Sequence, residues 1–147
     1  MRELRFIIAG GRDFDNYNLL ESFCYKVFEQ LNIQDDDKII IIEGEAKGAD
    51  TLARKFAEEN NFECLKFPAN WDLYGKRAGY IRNTQMANEG KADYLIAFHD
   101  GQSSGTRNMI EIMRKKDLEF NKNRKKGEFH KSSIFICRYN NGREYFK

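Results

Sequence analysis

A chain of 147 residues, 41% hydrophobic and 33% charged, has room for one folded domain, 1–147, that buries roughly two thirds of its unfolded surface without help from disulfides or metal. No apolar run approaches the ~20 residues of a membrane span. The chain opens on strand-like Leu4-Arg5-Phe6-Ile7-Ile8 rather than on a basic segment and an apolar signal core, so no membrane partner and a cytoplasmic location are expected. The net charge of +2 is too small to argue by itself for nucleic acid, but it is unevenly spread: residues 1–73 hold 9 Lys/Arg against 15 Asp/Glu, a net of −6, and residues 74–147 hold 16 against 8, a net of +8.

Leu4 to Ala9 is a near-continuous apolar run of the kind found in strands buried on both faces, and it ends in the glycine turn Gly10-Gly11-Arg12-Asp13-Phe14. Asn18, with Glu21 three residues on, is expected to cap a helix whose apolar residues Leu19, Leu20, Phe23, Cys24, Val27, Phe28 and Leu31 follow the helical period. Asp35-Asp36-Asp37 breaks it and reads as a solvated turn rather than a metal site. Lys38 to Ile42 is a second buried strand, β-branched after its first residue. It runs into Glu43-Gly44-Glu45-Ala46-Lys47-Gly48-Ala49-Asp50 and then a helix with Leu52, Ala53, Phe56 and Ala57 inward. Phe62 to Phe67 forms a third strand, stopped by Pro68, the one proline.

After Trp71 and Tyr74 comes a helix from about Arg77 to Asn88, then a fourth strand beginning near Ala92 and ending Tyr94-Leu95-Ile96-Ala97-Phe98. His99-Asp100-Gly101-Gln102-Ser103-Ser104-Gly105-Thr106 follows, and then the helical pattern Arg107 to Met113. A polar, basic stretch from Asp117 to Lys131, including Lys122-Asn123-Arg124-Lys125-Lys126, reads as a solvated insertion before a last strand, Ser133 to Arg138, and a polar tail. Cys24, Cys64 and Cys137 lie in apolar segments, which suits reduced core thiols; neither a disulfide nor a metal site is expected.

Five strands separated by helices imply an α/β fold, a Rossmann-like, doubly wound, mainly parallel sheet with helices on both faces. The loop after the fourth strand is poor in bulky side chains, and the free N–H groups of the following helix sit at the positive end of its dipole, which favours an anion such as phosphate. Taken alone, Gly101 and Gly105 serve a turn as well as a ligand. In the usual strand order, however, the first and fourth strands flank the point where the order reverses. The glycine turns after strands one, two and four then converge on one crevice, which turn-making alone does not explain.

Gly10-Gly11-Arg12-Asp13-Phe14, Gly44-x-Ala46-x-Gly48-Ala49-Asp50, Trp71 with Tyr74-Gly75-x-x-Ala78-Gly79-x-x-Arg82-Asn83-x-x-Met86, and Ser104-Gly105-Thr106-x-Asn108-Met109 together resemble the YspA-like (cpYpsA-related) family of the SLOG superfamily. The resemblance covers Phe6 to about Met113, and that superfamily also holds the LOG phosphoribohydrolases, the DNA-processing protein DprA and sensors of cyclic ADP-ribose-type nucleotides. It implies that Gly101, Ser103, Ser104, Gly105 and Thr106 hold a phosphate, that Arg82 meets it bidentately, and that Gly10, Gly11, Arg12 and Asp13 close over the ligand. Gly44, Ala46, Gly48, Asn83 and Asn108 complete the implied binding set. Asp50 either accepts ribose hydroxyls or only complements a helix dipole, and Trp71 and Tyr74 either stack on a base or cover the core.

LOG enzymes carry glutamate two or three residues beyond the Gly-Thr of this loop, where this chain has Asn108 and Met109. No catalytic residue and no cofactor is therefore assigned; His99 and Glu111 remain as candidates for an unusual acid–base pair. The leading expectation is a binder of a nucleotide-like small molecule, ADP-ribose or cyclic ADP-ribose in type, acting as a sensor or, in a virus or mobile element, as a sponge for a defence signal. The alternatives are a nucleotide N-glycosidic hydrolase and a DprA-like single-strand binder using the basic insertion. No nucleic-acid partner is expected, because no aromatic residue interleaves the basic run before Phe129. By resemblance, a homodimer or larger homo-oligomer is expected.

Overall fold

The structure is a computed structural model that describes residues 2–127, 131–140 and 143–144. Glu128 and Phe129 of the basic stretch, and most of the polar tail, lie outside the described residues. The elements run β1 (Glu3–Gly10), α1 (Tyr17–Gln30), β2 (Lys38–Glu43), α2 (Ala49–Glu59), β3 (Glu63–Lys66), α3 (Trp71–Tyr74), a 3-10 turn (Gly75–Arg77), α4 (Ala78–Asn88), β4 (Tyr94–His99), α5 (Ser104–Asn123), β5 (Ile134–Asn140) and β6 (Arg143–Glu144). The sheet order is β3-β2-β1-β4-β5-β6. The five expected strands are all parallel, and the short β6 adds an antiparallel edge to β5. After β3 the chain returns across the sheet through α3 and α4, so strand order reverses between β1 and β4, as the doubly wound reading requires.

Alternation along β1 builds the two layers, because successive side chains point to opposite faces. Phe6 and Ile8 pack with Ile39, Ile41, Ile96 and Phe98 under α1 and α2, where Leu20, Cys24, Val27, Phe56 and Ala57 are buried. Ile7 and Ala9 join Ile42, Leu95 and Ala97 under α4 and α5, against Met86, Ala87, Met109, Ile110 and Met113. Cys24 and Cys137 are buried free thiols and Cys64 is half-buried. No helix among the described residues is long and apolar enough to cross a membrane.

Three sequence expectations are corrected. Helix α1 starts two residues early and is capped by Asn16, whose side-chain oxygen accepts from the Leu19 N–H at 3.0 Å, not by Asn18. The gain is tertiary: starting at Tyr17 lets its ring pack against the core and its hydroxyl donate to Glu59 on α2 at 2.8 Å. The helix stops at Gln30, ahead of the aspartates, and Asp37 is not solvated. Its side chain, 3% exposed, holds the Arg2 guanidinium at 2.8 Å and accepts from the Gln34 N–H at 2.8 Å.

The third correction concerns the basic stretch, whose first seven residues continue α5 to Asn123. Asp117 and Asn121 stand four apart, on one helix face. Asp117 accepts from the Ser133 N–H (2.9 Å) and hydroxyl (2.8 Å), and Asn121 both accepts from and donates to the Lys131 backbone (2.7 and 2.9 Å). Polar residues that look like loop are held helical by the chain that leads into β5.

At the other end of β5, fully buried Tyr139 packs its ring on Phe14 and donates its hydroxyl to Asp13 at 2.9 Å. The last parallel strand thus braces the loop after the first. A Cβ on Gly11 would run into that hydroxyl and the Asp13 carboxylate, so the glycine is required by close approach. Tyr139→Phe is expected to lower the unfolding free energy by about 1–2 kcal/mol, the cost of one hydrogen bond to a charged acceptor, read as a lower urea midpoint with unchanged slope.

Candidate functional site

The loops after β1, β2 and β4 and the return through α3 and α4 enclose a cleft of about 510 Å³ beyond the strand ends. Thirteen of the residues expected from sequence line it: Gly10, Gly11, Arg12 and Asp13 from the first loop, Ala46 and Asp50 from the second, Trp71 from α3, Arg82 and Asn83 from α4, and Ser103, Ser104, Gly105 and Thr106 from the last. Gly44, Gly48, Tyr74, Gly101 and Asn108 do not line it. Each of the first two has a packing task instead. Gly44 lies under the Arg82 side chain, where a Cβ would collide with the guanidinium, and Gly48, at φ 80°, sits where any Cβ would strike the Gly11 and Arg12 backbone. Tyr74 is exposed away from the lining, Gly101 makes a left-handed turn at φ 87°, and Asn108 positions a neighbour.

That neighbour is Asn83, buried on α4 and joining it to α5. Its amide donates to the Gly105 carbonyl at 3.1 Å and to Asn108 Oδ1 at 2.9 Å, while its own oxygen accepts from Arg82 Nε at 3.1 Å. Arg82 Nη1 donates in turn to the Gly44 carbonyl. Burial pulls the pKa of the guanidinium below its usual range; Asp50 opposes this shift and Arg12 adds to it. An arginine nonetheless stays charged, and this one is aimed by two fixed partners.

The carboxylates of the site are engaged with backbone. Glu43, fully buried at the end of β2, accepts from the Glu45 N–H and from Arg54 Nε at 3.1 Å. Asp50, 7% exposed in the first turn of α2, accepts from the Ala46 N–H at 3.1 Å. Burial raises its pKa to about 6 against the pull of that N–H and of Arg82. Asp100 accepts from the N–H groups of Gln102 and Ser103, both at 2.8 Å; burial works against its ionisation, but these bonds hold its pKa below the ordinary carboxylate value. These acids are thus partnered by amides of their own loops.

The first turn of α5 is different. Its N-cap, Ser103, makes no side-chain capping bond, and among the described residues the N–H groups of Ser104, Gly105 and Thr106 have no hydrogen-bond partner. They stand at the positive end of a 20-residue helix, beside Ser103 and Thr106 hydroxyls that are 3.2 Å apart, in a cleft that also holds Arg82, Arg12 and Lys76. This wall has the donors and the positive field to take a phosphate. Across it, Arg12 lies 5.8 Å from the ring centre of Trp71.

Sequence reasoning missed Ala9, Lys76, Gly79, Tyr80, Met86 and Asp100 in the lining. Gly79 and Met86 were in reach, since they stand four before and three after Asn83 and so share its helix face. His99, a candidate base by sequence, is buried at the end of β4 and is not in the lining. Its Nδ1 has no hydrogen-bond partner among the described residues and lies 3.8 Å from Asp100. Burial lowers its pKa, with Asp100 opposing, and so favours the neutral ring. Glu111 is exposed on α5 outside the cleft.

A family model described as the YspA, cpYpsA-related SLOG family matches residues 4–74. Gene 61 protein of Mycobacterium phage D29 is 35% identical over 82 residues, which cover 52% of this chain and 65% of the phage protein, just under two thirds of its length. No solved structure matches. The matched span carries three of the cleft's contributors, namely the loops after β1 and β2 and helix α3 with Trp71; Arg82 and the amide wall of α5 lie beyond it and are known from their geometry. From β1 through α3, residues 4–74, the chain is thus similar to the YspA, cpYpsA-related SLOG family.

Proposed function

We propose that the chain binds a nucleotide or nucleotide-derived molecule of ADP-ribose type in this cleft and holds it without turnover, as a sensor or a sequestering protein. The observation that carries the reading is the meeting of the unpartnered α5 amides with the aimed guanidinium of Arg82. The match to the SLOG family over residues 4–74 supports nucleotide-related binding or processing, and a relative encoded by a phage suits a sponge for a host signal. Asp50 lines the same cleft as the cations, which supports a role in accepting ribose hydroxyls.

Binding without cleavage is favoured by what stands at positions 108 and 109. Asn108 is tied to Asn83, and Met109 is fully buried in the core under α5, so neither offers a carboxylate to a developing sugar cation. The hydrolase reading has one observation on its side: Asp50 is a cleft-lining carboxyl whose pKa of about 6 suits proton transfer near neutrality. Chromatography separates the two. Incubation with nucleoside monophosphates, NAD or ADP-ribose is expected to release no free base over hours, while mass spectrometry of the purified, denatured protein yields an intact nucleotide; repeated turnover would establish the hydrolase instead.

Arg82→Lys keeps the charge but loses the planar fork. Calorimetry is expected to show more than tenfold weaker nucleotide binding; equal affinity in this variant and in Arg82→Ala would remove Arg82 from the site.

The Asp50 carboxyl makes binding depend on pH. Ligand hydroxyls donate to its ionised form, so the affinity of the wild type relative to Asp50→Asn is expected to rise as pH passes upward through about 6. In the free protein the sign reverses. The folded pKa lies above the model-peptide value of 3.8, so the buried group resists ionisation and destabilises the fold as pH climbs from 3.8 to about 6. Across that window Asp50→Asn is expected to gain up to about 3 kcal/mol over the wild type in denaturant titrations, 1.36 kcal/mol for each pKa unit.

A further inference from the structure

We propose that Tyr80 is the platform on which the aromatic base of the ligand stacks, so that the bound molecule crosses the cleft from an anionic end at Arg82 to a heteroaromatic ring at Tyr80. This rests on the nucleotide reading and assigns the base to a residue that the sequence did not single out.

Three exposed aromatic side chains stand near the cleft: Trp71 at 49%, Tyr74 at 37% and Tyr80 at 46%. Tyr74 does not line it. Trp71 does, but its indole is already engaged: the Arg12 guanidinium lies 5.8 Å from the ring centre, and the ring tip rests over Gly79, where a Cβ would be 3.6 Å away. Tyr80 lines the cleft with its ring free. Among the described residues it makes no ring or cation contact and its hydroxyl no hydrogen bond; only its backbone carbonyl is used, by the Thr84 hydroxyl at 3.2 Å.

Helix geometry sets the direction. At about 100° per residue, Gly79, Asn83 and Met86 form one stripe of α4, and Tyr80 and Arg82, roughly 160° apart across it, flank it on opposite sides. All five line the cleft. Gly79 keeps the floor between the flanks low. An unpartnered aromatic ring along a cleft of mixed polarity suits the π-face of a base, an interaction that tolerates any base identity.

The test uses the full chain and measures its affinity for adenosine monophosphate and for ribose 5-phosphate, which lacks the base. The one tryptophan of the chain, Trp71, lines the cleft, so its fluorescence reports binding of either. In Tyr80→Ala the preference for the nucleotide over the sugar phosphate is expected to fall about five- to 150-fold, the usual range for removing one stacking partner. Tyr80→Phe is expected to keep it. Leu73→Ala, which alters a side chain 67% exposed and off the lining, is the control and is expected to match the wild type. An unchanged preference in Tyr80→Ala overturns the inference, as does a change that sedimentation traces to altered self-association, or a wild type that binds both probes equally. If the wild type binds neither these probes nor ADP-ribose, the nucleotide reading falls and the platform with it.

Discussion

The cleft depends on one bridge, the pair Arg82 and Asn83. Strand ladders fix spacing wherever strands are neighbours, but a doubly wound sheet opens above β1 and β4, where the connections leave in opposite directions and no ladder spans them. Arg82 reaches back to the Gly44 carbonyl after β2, and Asn83 reaches forward to the Gly105 carbonyl and Asn108 on α5. The two side chains are joined to each other through Nε and Oδ1. Asparagine suits the centre of this bridge because one side chain supplies both an acceptor and two donors. Buried networks of this kind are rigid when every member is satisfied, and here the satisfied network sets the width of the opening.

A division of labour among charged groups follows. Glu43 and Asp100 spend their oxygens on loop amides and fix the turns after β2 and β4. Asp13 is held by Tyr139 from the far strand. What remains directed at the cleft is mostly positive: the α5 amides, Arg82, and the rim cations Arg12 and Lys76. A crevice whose acids are mostly engaged and whose lining holds three cations has a local charge unlike that of the whole chain, which carries only +2. Asp50 is the exception, a buried carboxyl lining the same cleft, whose pKa burial raises to about 6.

Much of this was legible in one dimension. Apolar runs of four to six residues alternating with helical patterns marked β1, β2, β4 and β5 within about two residues, because interior strands of a parallel sheet are largely apolar, whereas the edge strand β3, with Glu63 and Lys66 at its ends, was delimited by Pro68. Glycine turns marked the strand ends that meet at the reversal. Pattern failed where a polar residue's partner is distant in sequence. Asp117 and Asn121 look like loop residues until the backbone at Lys131 and Ser133 is set against them, and Asn16 displaces Asn18 as cap only because Tyr17 finds Glu59 on another helix.

By itself, then, the sequence determined the layer order, the two faces of the core and the residue types that gather at the reversal point, since these rest on periodicity and on what glycine and β-branched residues do to a backbone. Only the tertiary structure decided which members of each motif face the cleft and which serve the fold. Gly44 and Gly105 look alike in sequence, yet one is covered by Arg82 and the other has open space where a Cβ would stand. Tyr74 and Tyr80 are both exposed tyrosines, yet only Tyr80 lines the cleft. The reason is physical: exposure toward a cleft is a relation between elements distant in the chain, and no local pattern encodes the direction from which the other wall arrives.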